Sequence, residues 1–177
     1  SADQSVKVWD VTTQGCYHTF THHSDKVQAI EWHPTQAWML ATGSFDRTVA
    51  FVDCRASAAP VKVPVAADME AMCWDPFDEN RIFCTLENGV VTCIDIRNTS
   101  APLFSFQAHD ETSPSLSFSH KVPGMLATCS LDKTVKVWDT LGAVPKCVAY
   151  KSMSVGKLFS VQYYTDDPFL LAAGGDQ

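Results

Sequence analysis

The chain contains nearly the same phrase twice, DQSVKVWD at residues 3–10 and LDKTVKVWD at residues 131–139. The closing aspartates, Asp10 and Asp139, lie 129 residues apart, three times 43. Between them AFVD and TCID end at Asp53 and Asp95, so the intervals are 43, 42 and 44 residues. Self-similarity at such a period constrains the fold strongly, because each repeat is one supersecondary unit that buries its apolar face only by stacking on its neighbours. Seven residues before each closing aspartate stands Asp3, Asp46, Asn88 or Asp132. Asp and Asn suit such turns because their side chains bond the backbone two residues on and tolerate left-handed angles. The stretches between (SVKVW, TVAFV, GVVTCI, TVKVW) are rich in β-branched residues and read as strands.

Three further phrases recur with the same period. VQAIEWHP ends at Pro34 and EAMCWDP at Pro76, with weaker copies around Phe118 and Tyr163. MLATGS, RIFCTL and MLATCS precede the three later turns, and FLLAAGG follows near the end. CYHTF, APVKVPV, PLFSF and KCVAY complete the set. Four short strands per period, about sixteen in all, predict four units of four with one unit split between the ends. Stacked helical repeats are excluded because few stretches hold a helical period, and a sandwich gives no reason for Trp-Asp at one phase of the repeat. The periodicity is that of four-stranded propeller blades, so the fold is expected to be an all-β propeller segment.

Thirteen basic and twenty acidic residues leave a net charge of −7. That balance argues against direct nucleic-acid binding by this segment, which calls for a basic patch. Seven cysteines with no CxxC pair, several inside apolar runs, read as reduced thiols in an intracellular protein. No apolar run approaches the roughly 18 residues of a membrane span, and the start SADQSVKV lacks signal-peptide character. The chain begins and ends inside a repeat, as a piece of something longer does.

SLDKTVKVWD, preceded by His109, resembles a WD40 repeat. The resemblance implies a hydrogen-bonded structural tetrad, carried here by His109, Thr128, Asp132 and Trp138. The preceding copy keeps His23, Thr42 and Asp46, with 23 residues from His to Asp in both copies. Phe51 is taken to stand in the place of its tryptophan, so its network is expected to stop one member short. The repeat at Asn88 lacks both the His and the Trp and is expected to form the least rigid blade.

Taken together, SDKVQAIEWHP, GSFDRTVAFVDCR and KTVKVWDTLG resemble the periodic tryptophan protein 1 family. That resemblance implies a nuclear, nucleolar protein of ribosome biogenesis, acting on large-subunit precursor assembly or ribosomal RNA gene chromatin. It further implies a seven-bladed ring of which residues 1–177 form part, as one WD40 β-propeller domain of about four blades' worth of chain. The repeats end near Asp10, Asp53, Asp95 and Asp139, the last being incomplete. The implied partners are pre-ribosomal assembly factors, and histones if the protein reads chromatin.

Several constellations have sharper readings that their context weakens. The His, Thr and Asp of the tetrad look catalytic, but nucleophilic catalysis needs an activated nucleophile beside an oxyanion hole, and catalytic triads do not recur periodically. His18, His22 and His23 fall close together near Cys16, yet no zinc-ligand spacing is present. His23 belongs to the tetrad, and His22 reads as a loop residue. Trp32, Trp74 and Trp138 hold repeat-determined strand positions, which favours packing over an aromatic cage for methyl-lysine. Trp38 alone falls off the period and is free for contact. Arg55 in VDCR and Arg97 in IDIR resemble the WDxR ending of receptors for cullin-type ubiquitin ligases; the plain alternative is an arginine pairing with a neighbouring acid. Ser113-Pro114, beside Thr112 in an acidic loop, suits a proline-directed kinase.

Propeller loops carry the specificity. The loops opening on one face hold Asp25, Lys26, Phe45, Arg47, Met69, Glu70, Glu111, Leu131, Lys133 and Lys157, a mixture of charge and apolar groups that suits a protein-binding rim. No phosphate loop, carboxylate pair or cofactor fingerprint is present, so no enzyme, cofactor or metal is expected. The leading expectation is a protein–protein interaction scaffold, followed by a ligase substrate receptor and a reader of methylated histones.

Overall fold

The computed structural model describes residues 1–56 and 59–176. Among them run sixteen strands. Val6–Asp10 (β1) and Gly15–Phe20 (β2) form a two-stranded sheet. Val27–Trp32 (β3), Met39–Ser44 (β4), Thr48–Asp53 (β5) and Val61–Pro64 (β6) form a four-stranded sheet in sequence order. Met69–Asp75 (β7), Asp78–Leu86 (β8), Val90–Asp95 (β9) and Phe104–Gln107 (β10) repeat that pattern. So do Ser115–Phe118 (β11), Met125–Cys129 (β12), Thr134–Asp139 (β13) and Lys146–Ser152 (β14). Leu158–Tyr163 (β15) and Leu171–Gly175 (β16) close the series as a second two-stranded sheet. Every pairing is antiparallel. These sheets are the blades and half-blades of a β-propeller.

The hydrophobic cores lie between sheets, which explains strands buried on both faces. Val6, Val27, Leu40 and Val52 fill the first interface. Phe51, Met69, Trp74, Ile82 and Ile94 occupy the second; Phe83, Leu116, Phe118 and Trp138 the third; Ala127, Val135, Leu158 and Val161 the fourth. Each large side chain fully buried there, such as Phe83 or Leu126, contributes about 1.5–3 kcal/mol. Strands β3, β7, β11 and β15 touch in succession. They border a cavity of about 360 Å3 lined by Trp32, Trp74, Phe118 and Gln162 among others.

The turn residues act alike in four repeats. Asp3, Asp46, Asn88 and Asp132 each accept the backbone N–H two residues on, at 2.9–3.2 Å. The residue between is left-handed every time: Gln4, Arg47, Gly89 and Lys133, with φ of 64°, 60°, 75° and 70°. A second staple repeats across 19 residues. The N–H groups of Phe45, Glu87, Leu131 and Asp176 donate to the carbonyls of Lys26, Asp68, Thr112 and Lys157, at 2.9–3.1 Å. It ties the loop before each blade to the turn inside it.

Candidate functional site

In the β11–β14 blade, His109 Nδ1 lies 2.9 Å from Asp132 Oδ2, and its Nε2 lies 2.8 Å from Thr128 Oγ1. Trp138 Nε1 donates to the same hydroxyl at 3.0 Å. One proton arrangement satisfies every atom. The indole N–H donates to Thr128, the Thr128 O–H donates to His109 Nε2, and His109 Nδ1–H donates to the Asp132 carboxylate. Burial pushes the His109 pKa down against the pull of Asp132, which keeps the imidazole neutral. Burial works against Asp132 as well, but bonds from Thr134 and His109 outweigh it and hold its carboxyl below the usual range. Gly89 of the neighbouring blade fixes the entry of this segment: its carbonyl accepts the N–H groups of Ala108 and His109, both at 3.0 Å.

The β3–β6 blade contains the same bonds. His23 Nδ1 lies 2.8 Å from Asp46 Oδ2 and His23 Nε2 2.9 Å from Thr42 Oγ1. Lys62 Nζ stands 3.6 Å from the same carboxylate. Two expectations fail here. Phe51 does not hold the place of the tryptophan: Leu126 pairs with Trp138 across β12 and β13, as Leu40 pairs with Val52 across β4 and β5. Val52 is therefore the counterpart, while Phe51 points into the next interface against Trp74. Nor does the network stop short. His22 Nε2 lies 3.0 Å from Thr42 Oγ1 and supplies the missing donor. His22 is thus a member of the network rather than a loop bystander, and the identity of residue 22 gives no sign of this before the ring is placed. Its Nδ1 is buried with no hydrogen-bond partner among the described residues.

In the β7–β10 blade the corresponding positions are Val65, Cys84 and Ile94, all packed in the second interface. An apolar cluster replaces the polar network there. The burial of Cys84 pushes its thiol well above the ordinary range, so it behaves as a small hydrophobe.

These bonds use the side chains that looked catalytic. His23, Thr42, His109 and Thr128 are buried, and each hydroxyl already serves ring nitrogens. Ser113 is also fully buried, donating to the Cys129 carbonyl at 2.9 Å, so the expected phosphorylation loop does not present it.

The rim residues divide. Asp25, Arg47, Glu111, Lys133 and Lys157 are exposed; Lys26, Phe45, Glu70 and Leu131 are half-buried. Lys26 Nζ sits 4.3 Å over the Phe45 ring, and Arg47 Nε donates to Asp68 Oδ1 at 3.0 Å. Burial, reinforced by Glu87, pushes the Glu70 carboxyl up. Met69 is a correction: it is fully buried in the second interface, lying over Gly43, where any Cβ would meet its methyl at 2.2 Å. The first residue of β7 turns inward because Gly43 leaves room for it.

At the ends of β5 and β9, Arg55 and Arg97 fold back onto their own strand-end acids. Arg55 donates to both Asp53 oxygens, at 3.1 and 2.9 Å, and Arg97 to both Asp95 oxygens, at 2.9 and 2.5 Å. The Arg55 guanidinium also covers the Trp38 ring at 3.9 Å, so that face of Trp38 already carries a cation. Trp32 is 47% exposed, whereas Trp74 and Trp138 are buried. Trp32 and Trp74 line one cavity with Phe118, whereas Trp138 and Trp38 each border a different hollow.

The family model for the E3 ubiquitin-protein ligase RFWD3 WD40 domain matches residues 4–120. Over its whole length the chain is 38% identical to an uncharacterized WD repeat-containing protein of Schizosaccharomyces pombe, covering 35% of that protein. It is 28% identical to the Periodic tryptophan protein 1 homolog of Drosophila melanogaster, across all of this chain and 39% of that protein. It is 29% identical to Periodic tryptophan protein 1 of Saccharomyces cerevisiae, across 94% of this chain and 31% of that protein. The chain spans about a third of the length of these curated relatives.

Proposed function

We propose that this chain, which belongs to the WD40 domain family, is part of a non-enzymatic protein–protein interaction scaffold that serves ribosome biogenesis in the nucleolus. The observation that carries the scaffold reading is the use of every catalytic-looking side chain inside the blades, with a stapled rim of exposed charges left over. Asp25, Arg47, Glu111, Lys133 and Lys157, with half-buried Phe45 and Leu131, form a mixed surface of the kind partner proteins engage. The likeness to periodic tryptophan protein 1 along nearly the whole chain supports the ribosomal assignment and pre-ribosomal assembly factors as partners. Residues 1–177 are assigned to one propeller domain whose tetrads serve stability.

Affinity purification of the intact protein, with identification of the co-purifying proteins and gradient sedimentation, tests this reading. Large-subunit assembly factors and co-migration with pre-ribosomal particles are expected. Their absence, with a ligase adaptor in their place, favours the second reading, a ubiquitin-ligase substrate receptor. The name of the matching family model supports that alternative. The pairing of Arg55 and Arg97 with their own strand-end acids adds nothing to it, although the outer N–H groups of both exposed guanidinium groups stay available to a partner.

A further inference from the structure

The residue two places after the strand-end aspartate is Arg55 in one blade, Arg97 in the next and Leu141 in the third. Where the arginines close onto Asp53 and Asp95, Leu141 leaves the Asp139 side chain without an arginine partner and stands 67% exposed. It lies so close over Gly124 (φ 70°) that a Cβ there would come within 2.5 Å of Leu141 Cγ. The result is an open, mainly apolar groove of about 350 Å3 lined by Val122, Pro123, Met125, Trp138, Leu141 and Val148, with Asp139 at its side. Beside it Leu141 also borders a second hollow of about 290 Å3, shared with Leu103 and Phe104 of the neighbouring blade.

The groove adjoins an unusual edge. Strand β14 is the outermost of its sheet, runs seven residues and is exposed at all seven, whereas the outer strands β6 and β10 have four residues each. Proline ends β6 at Pro64, but β14 contains none. A bulge opposite Val137 and Trp138 turns Val148 toward the groove, and the pairing from Ala149 to Ser152 is regular. Tyr150 stands 75% exposed beside it. The edge carries Lys146 and Lys151 against one acid, Asp139, which also lines the groove and stands opposite Lys146 in the ladder, so Lys151 is the lysine left for a partner, inside a chain of net charge −7.

The geometry points to a peptide-docking edge: an extended, acidic segment of a partner protein adds to β14 as a fifth strand and lodges an apolar side chain against Leu141 and Val148. Main-chain bonds to the open edge supply affinity and the groove supplies specificity. An acidic residue on the incoming strand faces Lys151, which unlike Lys146 has no acid opposite it in the ladder. A second copy of this chain is a poorer occupant, because β14 against β14 sets lysine near lysine. This surface is separate from the rim, and its test does not depend on ribosomal partners.

A short fluorescent peptide alternating valine and glutamate, with a central leucine, is titrated into the intact protein and followed by anisotropy. Saturable binding is expected, with affinity about tenfold weaker for Leu141→Arg and for Lys151→Glu, and about tenfold weaker for a peptide with lysine replacing glutamate. Thermal melts check that both variants stay folded. No saturable binding to the unaltered protein, equal affinity for both variants, or equal affinity for the lysine peptide overturns the proposal. So does sedimentation showing a dimer that Leu141→Arg abolishes, since the occupant is then a second copy.

Discussion

His22 Nε2 lies 3.0 Å from Thr42 Oγ1, the same distance at which Trp138 Nε1 meets Thr128 Oγ1. Two blades therefore complete the same network with different donors. An indole N–H does not titrate near neutral pH, whereas an imidazole does. A proton added to His22 enters at Nδ1, which has no hydrogen-bond partner among the described residues.

This difference predicts acid sensitivity. Burial first, then the nearby His23 and Lys62, bring the His22 pKa down to about 4. Burial also lowers His23 and His109. Unfolded imidazoles titrate near pH 6.5, so below that value the unfolded chain binds protons that the folded blade refuses. The stabilisation is complete above about pH 6.5 and is lost progressively toward about pH 4. Thermal melts should show a level midpoint from about pH 8 to 7 and a steady fall below about 6.5, shallower in His22→Phe. A midpoint that stays level through the acid range contradicts the role given to His22.

The polar network of the β11–β14 blade should be costly to break. His109→Ala leaves buried Thr128 and half-buried Asp132 each with a partner missing, and a loss of about 1–3 kcal/mol is expected. Trp138→Phe removes one donor and keeps most of the packing, with a loss of about 1 kcal/mol. Urea unfolding reads both, and unchanged midpoints would remove the stabilising role from the tetrad.

Two glycines should respond differently to alanine. At Gly89, φ is 75° and a Cβ meets the His109 carbonyl oxygen at 2.2 Å, so backbone has to move; Gly89→Ala should lose more than about 2 kcal/mol. At Gly43 the obstacle is the end of the Met69 side chain, also at 2.2 Å, which can swing aside; a loss of about 1 kcal/mol is expected. Equal losses in chemical denaturation would mean that the Gly89 loop yields.

The β7–β10 blade lacks the His and Trp but packs Val65, Cys84 and Ile94 in their place. Replacing a buried polar network by well-packed apolar groups is often neutral or stabilising. Amide hydrogen exchange should show β8 protected at least as well as β12. Faster exchange in β8 would instead support the expectation that this blade is the least rigid.

What was legible in the sequence is whatever the chain repeats locally. The 43-residue period, the turn Asp or Asn, and the spacing of 23 residues from histidine to aspartate lie within a few strands of each other; that the left-handed angle falls on the next residue (Gln4, Arg47, Gly89, Lys133) is seen only in the structure. A hairpin ladder holds such offsets constant wherever the blade sits. Fold class follows from that arithmetic, and the partners of His109 and His23 are what the resemblance to a WD40 repeat implies.

Only the tertiary structure decided the rest, because it depends on which face of a strand meets the next sheet. Counting back one residue from each closing aspartate already matches Val52 with Trp138, but only the placed ring shows His22 entering the space and taking the Thr42 hydroxyl. Gly43 admits Met69 and withdraws it from the rim. Ser113 is drawn inside by the Cys129 carbonyl. Leu141 differs from Arg55 and Arg97 by one side chain, and the groove appears only once Gly124 and Val148 are placed beside it. Period and polarity are properties of the chain, whereas burial of a particular side chain is settled between sheets that lie far apart along it.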